Sequence, residues 1–267
     1  MAFSEFLESR RARAKALVAA LKEQFEYVSV LGVDTRSKHI MVNANSSGIL
    51  NGDDTECGFV VKINNGGCFF EYSMDDIGAD IPAAAAQVKE SFTVSKLLRE
   101  GSIDRIVLKD EPLVQSFARP TDLASYSDKD VLSFVQKMQK ELQAKSEHIL
   151  NAMIRVSTLE VSKLFVSANR ELDQNYTWIN GFMGLAYREN DKTVQVFGFC
   201  DSANMADVMA ELPGKMDDLV DRAHHLTLAK PIEPGVYDVI TAPSITGLIA
   251  HEALGHGGGK GQLLEDR

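Results

Sequence analysis

The chain lacks the features that would place it in several broad classes. No apolar run approaches the roughly 20 residues needed to cross a bilayer, and the N-terminus has no apolar core of the kind a signal peptide carries. These two absences make the cytoplasm the expected compartment and give no membrane role. Cysteine is scarce: Cys57, Cys68 and Cys200 form neither an even disulfide framework nor a Cys-x-x-Cys pair, which fits a reducing environment. Each lies in a strand-like apolar context where a buried thiol is the common state, so all three are weak metal ligands. Excess positive charge is also missing. A formal charge of -10 and a pI near 5.1 argue against a nucleic-acid surface, which would show a basic patch or stripe. Neither Asn51-Gly52 nor Asn65-Gly66 opens a helix with phosphate-loop spacing, so both read as turns.

What remains is an ordinary globular composition: 267 residues, 45% hydrophobic and 25% charged, long enough for two modest domains. Residues 3–24 place Phe3, Phe6, Leu7, Leu17, Val18 and Leu21 near helical spacing, with Arg10, Arg11, Arg13 and Lys15 on the remaining, solvated face. The period then drops to two. Strands are expected at 27–31, 39–42, 57–63 and 67–72, parted by Gly/Asn/Asp turns, as an antiparallel meander. His39, beside a turn, reads as exposed rather than liganding. A helix follows from Ile81-Pro82 to about Arg99, closed by Gly101, with a short strand at 103–108.

Residues 110–130, with Pro112 and Pro120, form the best linker candidate, and Ser127-Asp128 caps a helix running to about Asn151. The order then recurs: a hairpin at 153–159 and 162–167, strands at 181–187 and 193–199, and a helix from about Met205 to Ala229. Trp178 is assigned to a polar turn. The expectation is therefore an α+β fold of two similar helix/antiparallel-meander/helix units, a degenerate duplication, followed by the start of a metal-site domain. The boundaries are 1–110, a linker at 111–130, 131–229, and 230–267.

The chemistry concentrates near the end. Residues 235–240 read as a short buried strand, 241–244 as turn and cap, and Ile245 to Leu254 as a mostly apolar helix containing His251-Glu252-Ala253-Leu254-Gly255-His256. Two imidazoles and a carboxylate directly after the first of them suit a hydrolytic zinc site: neutral imidazoles bind Zn²⁺, and Glu252 is placed to act as base toward attacking water. The familiar zinc-peptidase spacing sets its histidines four apart, on one side of a helix. Here they are five apart. On a regular helix five steps of roughly 100° leave the two rings about 140° apart, so they share an ion only if the intervening turn is widened, as in a π-bulge. Gly255, and Gly257-Gly258-Gly259 after the motif, make such a distortion cheap. The competing reading is two histidines at a frayed helix end with an incidental glutamate. Burying such groups on an apolar helix costs several kcal/mol unless they are paired or metal-bound, which favours the site.

At these residues the chain resembles the TldD/PmbA metallopeptidases, once called modulators of DNA gyrase. The resemblance rests on Pro234-Gly235-x-Tyr237-Asp238-Val239, Pro243 and His251-Glu252-Ala253-x-Gly255-His256-Gly257. It is specific over about Pro231 to Gly257 and weaker, in element order alone, toward the N-terminus. It implies that His251 and His256 are zinc ligands and Glu252 the catalytic base. It further implies unfolded or leader-type peptides as substrates, cut in a chamber between the subunits of a homodimer or a heterodimer with a related subunit. Two departures stand out. The acidic residue usual after the last His-Gly is replaced by Gly258-Gly259-Lys260, and family members continue with a long segment supplying a cysteine as third ligand, whereas this sequence stops at Arg267. The resemblance thus implies an N-terminal part of a family member. Within the chain, Glu265 or Asp266 is the carboxylate alternative for a third ligand, and His224 or His225 a weaker one. A scaffold or partner subunit with an incomplete metal site is the alternative function. An anion site at Gly257–Gly261 is weak, because no helix N-terminus follows it.

Overall fold

The computed structural model describes residues 2–65, 68–97 and 110–256. Contacts divide the chain into two units, Met1–Leu228 and Ala229–Arg267. The first is built on one mixed sheet of eight strands. Its centre is the antiparallel pair β1 (Tyr27–Val42) and β6 (Ile149–Ser167), aligned from Ser29 opposite Ser167 to Val42 opposite Ile154. On one side β3 (Cys57–Asn65) and β2 (Ser47–Asn51) pair with successive halves of β1, and β4 (Cys68–Met74) pairs with β3. On the other side β7 (Arg170–Glu189) pairs along β6 and carries β5 (Leu113–Ala118) on its first part and β8 (Lys192–Ser202) on its last. Asn190 and Asp191, at φ 51° and 59°, turn β7 into β8 as a two-residue hairpin whose left-handed backbone matches the strand twist.

Helix, antiparallel strands, helix does occur twice. Helix α1 (Glu5–Lys22) and α2 (Ile81–Leu97) bracket β1 to β4, while α3 (Asp128–Gln143), α4 (Met205–Glu211) and α5 (Met216–Leu228) bracket β6 to β8. Both α+β halves share the one sheet. Because side chains alternate across a strand, the even-numbered residues of β6 from Ala152 to Val166 face the helices, past an irregularity at 149–151 that leaves Leu150 exposed. Leu164 and Val166 join the core under α1 and α2, whereas Ile154 and Val156 join a second core under α3, α4 and α5. Between the two lies a polar seam, Thr158, Glu160 and Ser162, opposite Lys38, Arg36 and Asp34 of β1.

Helix starts follow local chemistry. Ser4 accepts from the Leu7 amide, and Ser127 with Asp130 forms a reciprocal capping box that satisfies two otherwise orphaned N–H groups. The basic face of α1 is internally matched: Arg11 donates to Glu8, Glu171 and Asp173, and Arg10 to both oxygens of Asp76.

Several segments differ from their sequence patterns. The two expected hairpins at 27–42 and 153–167 are single long strands, since β1 and β6 are hydrogen-bonded on both sides and the polar residues that suggested turns are the seam. The stretch 110–130 contains β5, which runs parallel to β7, and a short 3-10 turn at Leu123–Ser125. Pro213 removes an amide donor, so the long helix expected over 205–229 is broken into α4, a 3-10 turn at Leu212–Lys215, and α5. Trp178 sits within β7 opposite Leu159, with the Arg119 guanidinium 4.6 Å from its ring. His39 is half-buried and bonded to the Ser157 hydroxyl at 2.8 Å. Residues 235–240 form no strand; Val236, Val239 and Ile240 are exposed. Gly101 and the strand expected at 103–108 lie outside the described residues.

Candidate metal centre

In the second unit Ala242 is extended, Pro243 occupies the first helical turn where its missing N–H costs nothing, and the Thr241 and Thr246 hydroxyls meet at 2.6 Å. Helix α6 (Pro243–Ala250) then passes directly into a π-helical turn, His251–His256. The i→i+5 hydrogen bonding of a π turn lets five residues complete about one revolution, which is the widening the five-residue spacing requires. The imidazoles are brought together: Nε2 of His256 and Nε2 of His251 are 3.1 Å apart, with ring centroids 4.7 Å apart and planes at 84°. The Glu252 carboxylate reaches 4.0 Å from Nε2 of His256, and ligand atoms of all three residues lie within 4.8 Å of one another. The side chains of Glu252 and His256 are both 63% exposed.

The two imidazoles and the carboxylate form a candidate metal-binding group, and a nitrogen separation of 3.1 Å would let both rings reach one ion at the usual Zn–N length. A Cβ on Gly255 would stand 3.7 Å from Nδ1 of His251, an ordinary contact, so this glycine is not demanded by space around the ring.

Among the described residues no further Cys, His, Asp or Glu joins the group. His224 Nδ1 donates to the Glu189 carboxylate at 2.6 Å, and His225 Nδ1 lies 2.9 Å from the Asp221 carbonyl oxygen. Cys200 is buried and Cys57 exposed, and desolvation pushes both thiols above their ordinary range, the opposite of a thiolate ligand. Glu265, Asp266, Gly257–Gly261 and the Cys68 side chain lie outside the described residues.

Two other clusters of chemical groups escaped the sequence reading. Glu189 gathers His224, the Tyr187 hydroxyl at 3.0 Å and, at 3.8 Å, His148 from three separate elements. The hydrogen bond to His224 holds its carboxyl below the usual range. The second is the seam, whose signal was present: polar residues at 158, 160 and 162 interrupt an otherwise apolar even-numbered face.

No family model and no curated protein matches the sequence. Solved structures do. A candidate modulator of DNA gyrase from Bacteroides thetaiotaomicron superposes with a TM-score of 0.64 at 13% identity, over 81% of this chain and 49% of that one. A candidate gyrase modulator from Thermotoga maritima gives 0.62 at 14% identity, over 86% and 50%. TldE from Thermococcus kodakarensis gives 0.57 at 12% identity, over 80% and 46%. The fold is TldD/PmbA-like. The chain spans about half the length of these TldD/PmbA-like proteins.

Proposed function

We propose that this chain is the metal-bearing portion of a zinc-dependent peptidase. The observation that carries the reading is the π turn that sets two Nε2 atoms 3.1 Å apart beside a carboxylate. When bound, zinc supplies Lewis acidity toward a peptide carbonyl and lowers the pKa of water. The chain's own residues do the rest. His251 and His256 present neutral nitrogen lone pairs to a common point, and Glu252 takes a proton from the attacking water and delivers it to the departing amide nitrogen. A C–O bond forms, the C–N bond breaks, and the proton passes through the carboxylate.

The resemblance noted in the sequence supports unfolded or leader-type peptides as substrates and a homodimer or a heterodimer with a related subunit as the assembly. Because the chain spans about half of the proteins it matches, these belong to the proposal. A cytoplasmic location belongs to it as well; among the described residues no helix is long and apolar enough to cross a membrane.

A second reading, a non-catalytic scaffold or partner subunit, is favoured by one observation. Two imidazoles and one carboxylate are the whole donor cluster among the described residues, whereas catalytic zinc sites use three protein ligands besides the base. Metal analysis and hydrolysis of an unstructured fluorogenic peptide separate the two. The first reading expects about one zinc per chain, zinc retained but hydrolysis lost in Glu252→Gln, and zinc lost in His256→Ala. A metal-free, inactive parent that still associates supports the scaffold, and unchanged turnover in Glu252→Gln removes the glutamate from the mechanism.

A further inference from the structure

One end of the polar seam, Lys38, Thr158 and Glu160, borders a cavity of about 250 Å³ against the second core of the first unit. Its apolar wall is buried: Ile40 and Val156 come from neighbouring strands, Val131 from α3 and Met205 from α4, each less than 5% exposed. Its rim is polar and carries three charged groups, Lys38, Asp128 and Glu160. Lys38 is already committed to Asp128, with both carboxylate oxygens at 2.8 and 3.0 Å. Arg36, directly across from Glu160 on β1, is turned toward Asp34 at 3.6 Å. Glu160 is therefore the carboxylate left over: half-buried, in no ion pair or side-chain hydrogen bond among the described residues, and lining both this cavity and the adjoining one beside Asp34 and Arg36.

We propose that the seam cavity is a binding site for a singly protonated amine carrying an apolar body of side-chain size, with Glu160 as the group that reads the charge. The physical choice is between three ligand classes. An anion would find Lys38 as the only rim cation and would have to break the Lys38–Asp128 pair. A neutral apolar molecule would cover Glu160 and strip its water without replacing it, which is unfavourable for a carboxylate. An ammonium group bonds that carboxylate as its body covers Ile40, Val131, Val156 and Met205, so burial and charge pairing act together. A divalent cation is disfavoured because one uncommitted carboxylate beside an apolar wall is too few oxygens. The site shares no residue with the metal centre, and its test reads amine binding rather than hydrolysis, so the outcome leaves the peptidase reading untouched.

The same chemistry is offered by a free amine and by the amino terminus of a peptide, so two probes are needed. Binding of phenethylamine and of phenylalaninamide to the full chain is followed at pH 6.5 by shifts of methyl resonances from Ile40, Val131, Val156 and Met205, with 3-phenylpropionate as the anionic control. Either amine should saturate the site, and the tighter one identifies the source. Glu160→Gln, which preserves shape, should weaken amine binding by about tenfold to a hundredfold, the range for one charge-assisted hydrogen bond. Lys38→Met removes the rim cation and releases Asp128, so it should tighten amine binding; it decides the matter even if the Glu160 variant folds poorly. The proposal is overturned if 3-phenylpropionate binds as tightly as the amines, if neither amine binds at millimolar concentration, or if both substitutions leave amine affinity unchanged.

Discussion

The distance between the two histidines can be changed without touching either ring, and the consequence follows from helix geometry alone. Leu254 is 76% exposed and lies inside the π turn. Deleting it leaves the histidines four steps apart, so that at roughly 100° per residue a regular helix carries the rings about 40° from one another, on one side. Inserting an alanine after Leu254 makes six steps and puts the rings about 120° apart, with no single widened turn to restore them. The deletion should keep zinc affinity within about tenfold of the parent, since both imidazoles still reach one ion. The insertion leaves one imidazole per ion and should weaken zinc by at least about a hundredfold, a loss of roughly 3 kcal/mol. Competition against a chromophoric chelator measures both, and circular dichroism reports whether helix content is kept. An insertion variant that holds zinc within threefold of the parent would refute the argument, because the π turn would then not be what brings the imidazoles together.

Three further outcomes bear on the fold of the first unit. A Cβ at Gly181 would lie 2.7 Å from Val208 Cγ1 and 3.0 Å from Leu212 Cδ2, so Gly181→Ala should destabilise the first unit by about 1–3 kcal/mol in chemical denaturation. An unchanged midpoint would mean that α4 moves freely on the sheet. Arg11, 19% exposed and held by Glu8, Glu171 and Asp173, ties α1 to β7; Arg11→Ala should cost about 1–3 kcal/mol and lower the thermal midpoint by several degrees. The hydrogen bond from Lys15, with a second from Arg11, holds the Glu171 carboxyl below its ordinary value. Its stabilisation is present above the unfolded-state pKa near 4.3 and is lost as pH falls through the lower folded value, so Glu171→Gln should flatten the dependence of stability on pH below about 4.5. A parallel curve for the variant would show the pair to be dispensable.

Much of the candidate site was legible in the residues themselves. The order His-Glu-x-x-x-His supplies two imidazoles and a carboxylate, and the five-step spacing calls for a widened turn; both are properties of a few adjacent residues, which is why no distant contact was needed to read them. Local signals also served for the cap at Ser127 and for the repeated order of helix, strands and helix. The same approach misjudged 27–42 and 153–167, where polar residues midway along a strand look like a turn unless the strands on either side are known.

Those neighbours are what the tertiary structure decided. Pairing β1 with β6, more than a hundred residues apart in sequence, makes one sheet of two halves and lines up Asp34, Arg36 and Lys38 with Ser162, Glu160 and Thr158 as a single seam. Which carboxylate there lacks a counter-charge depends on where α3 delivers Asp128, and α3 is positioned by its packed apolar face rather than by any motif near Glu160. Spacing along the chain decides which groups can meet within one helical turn; register between strands and the packing of helices on them decides every meeting at longer range.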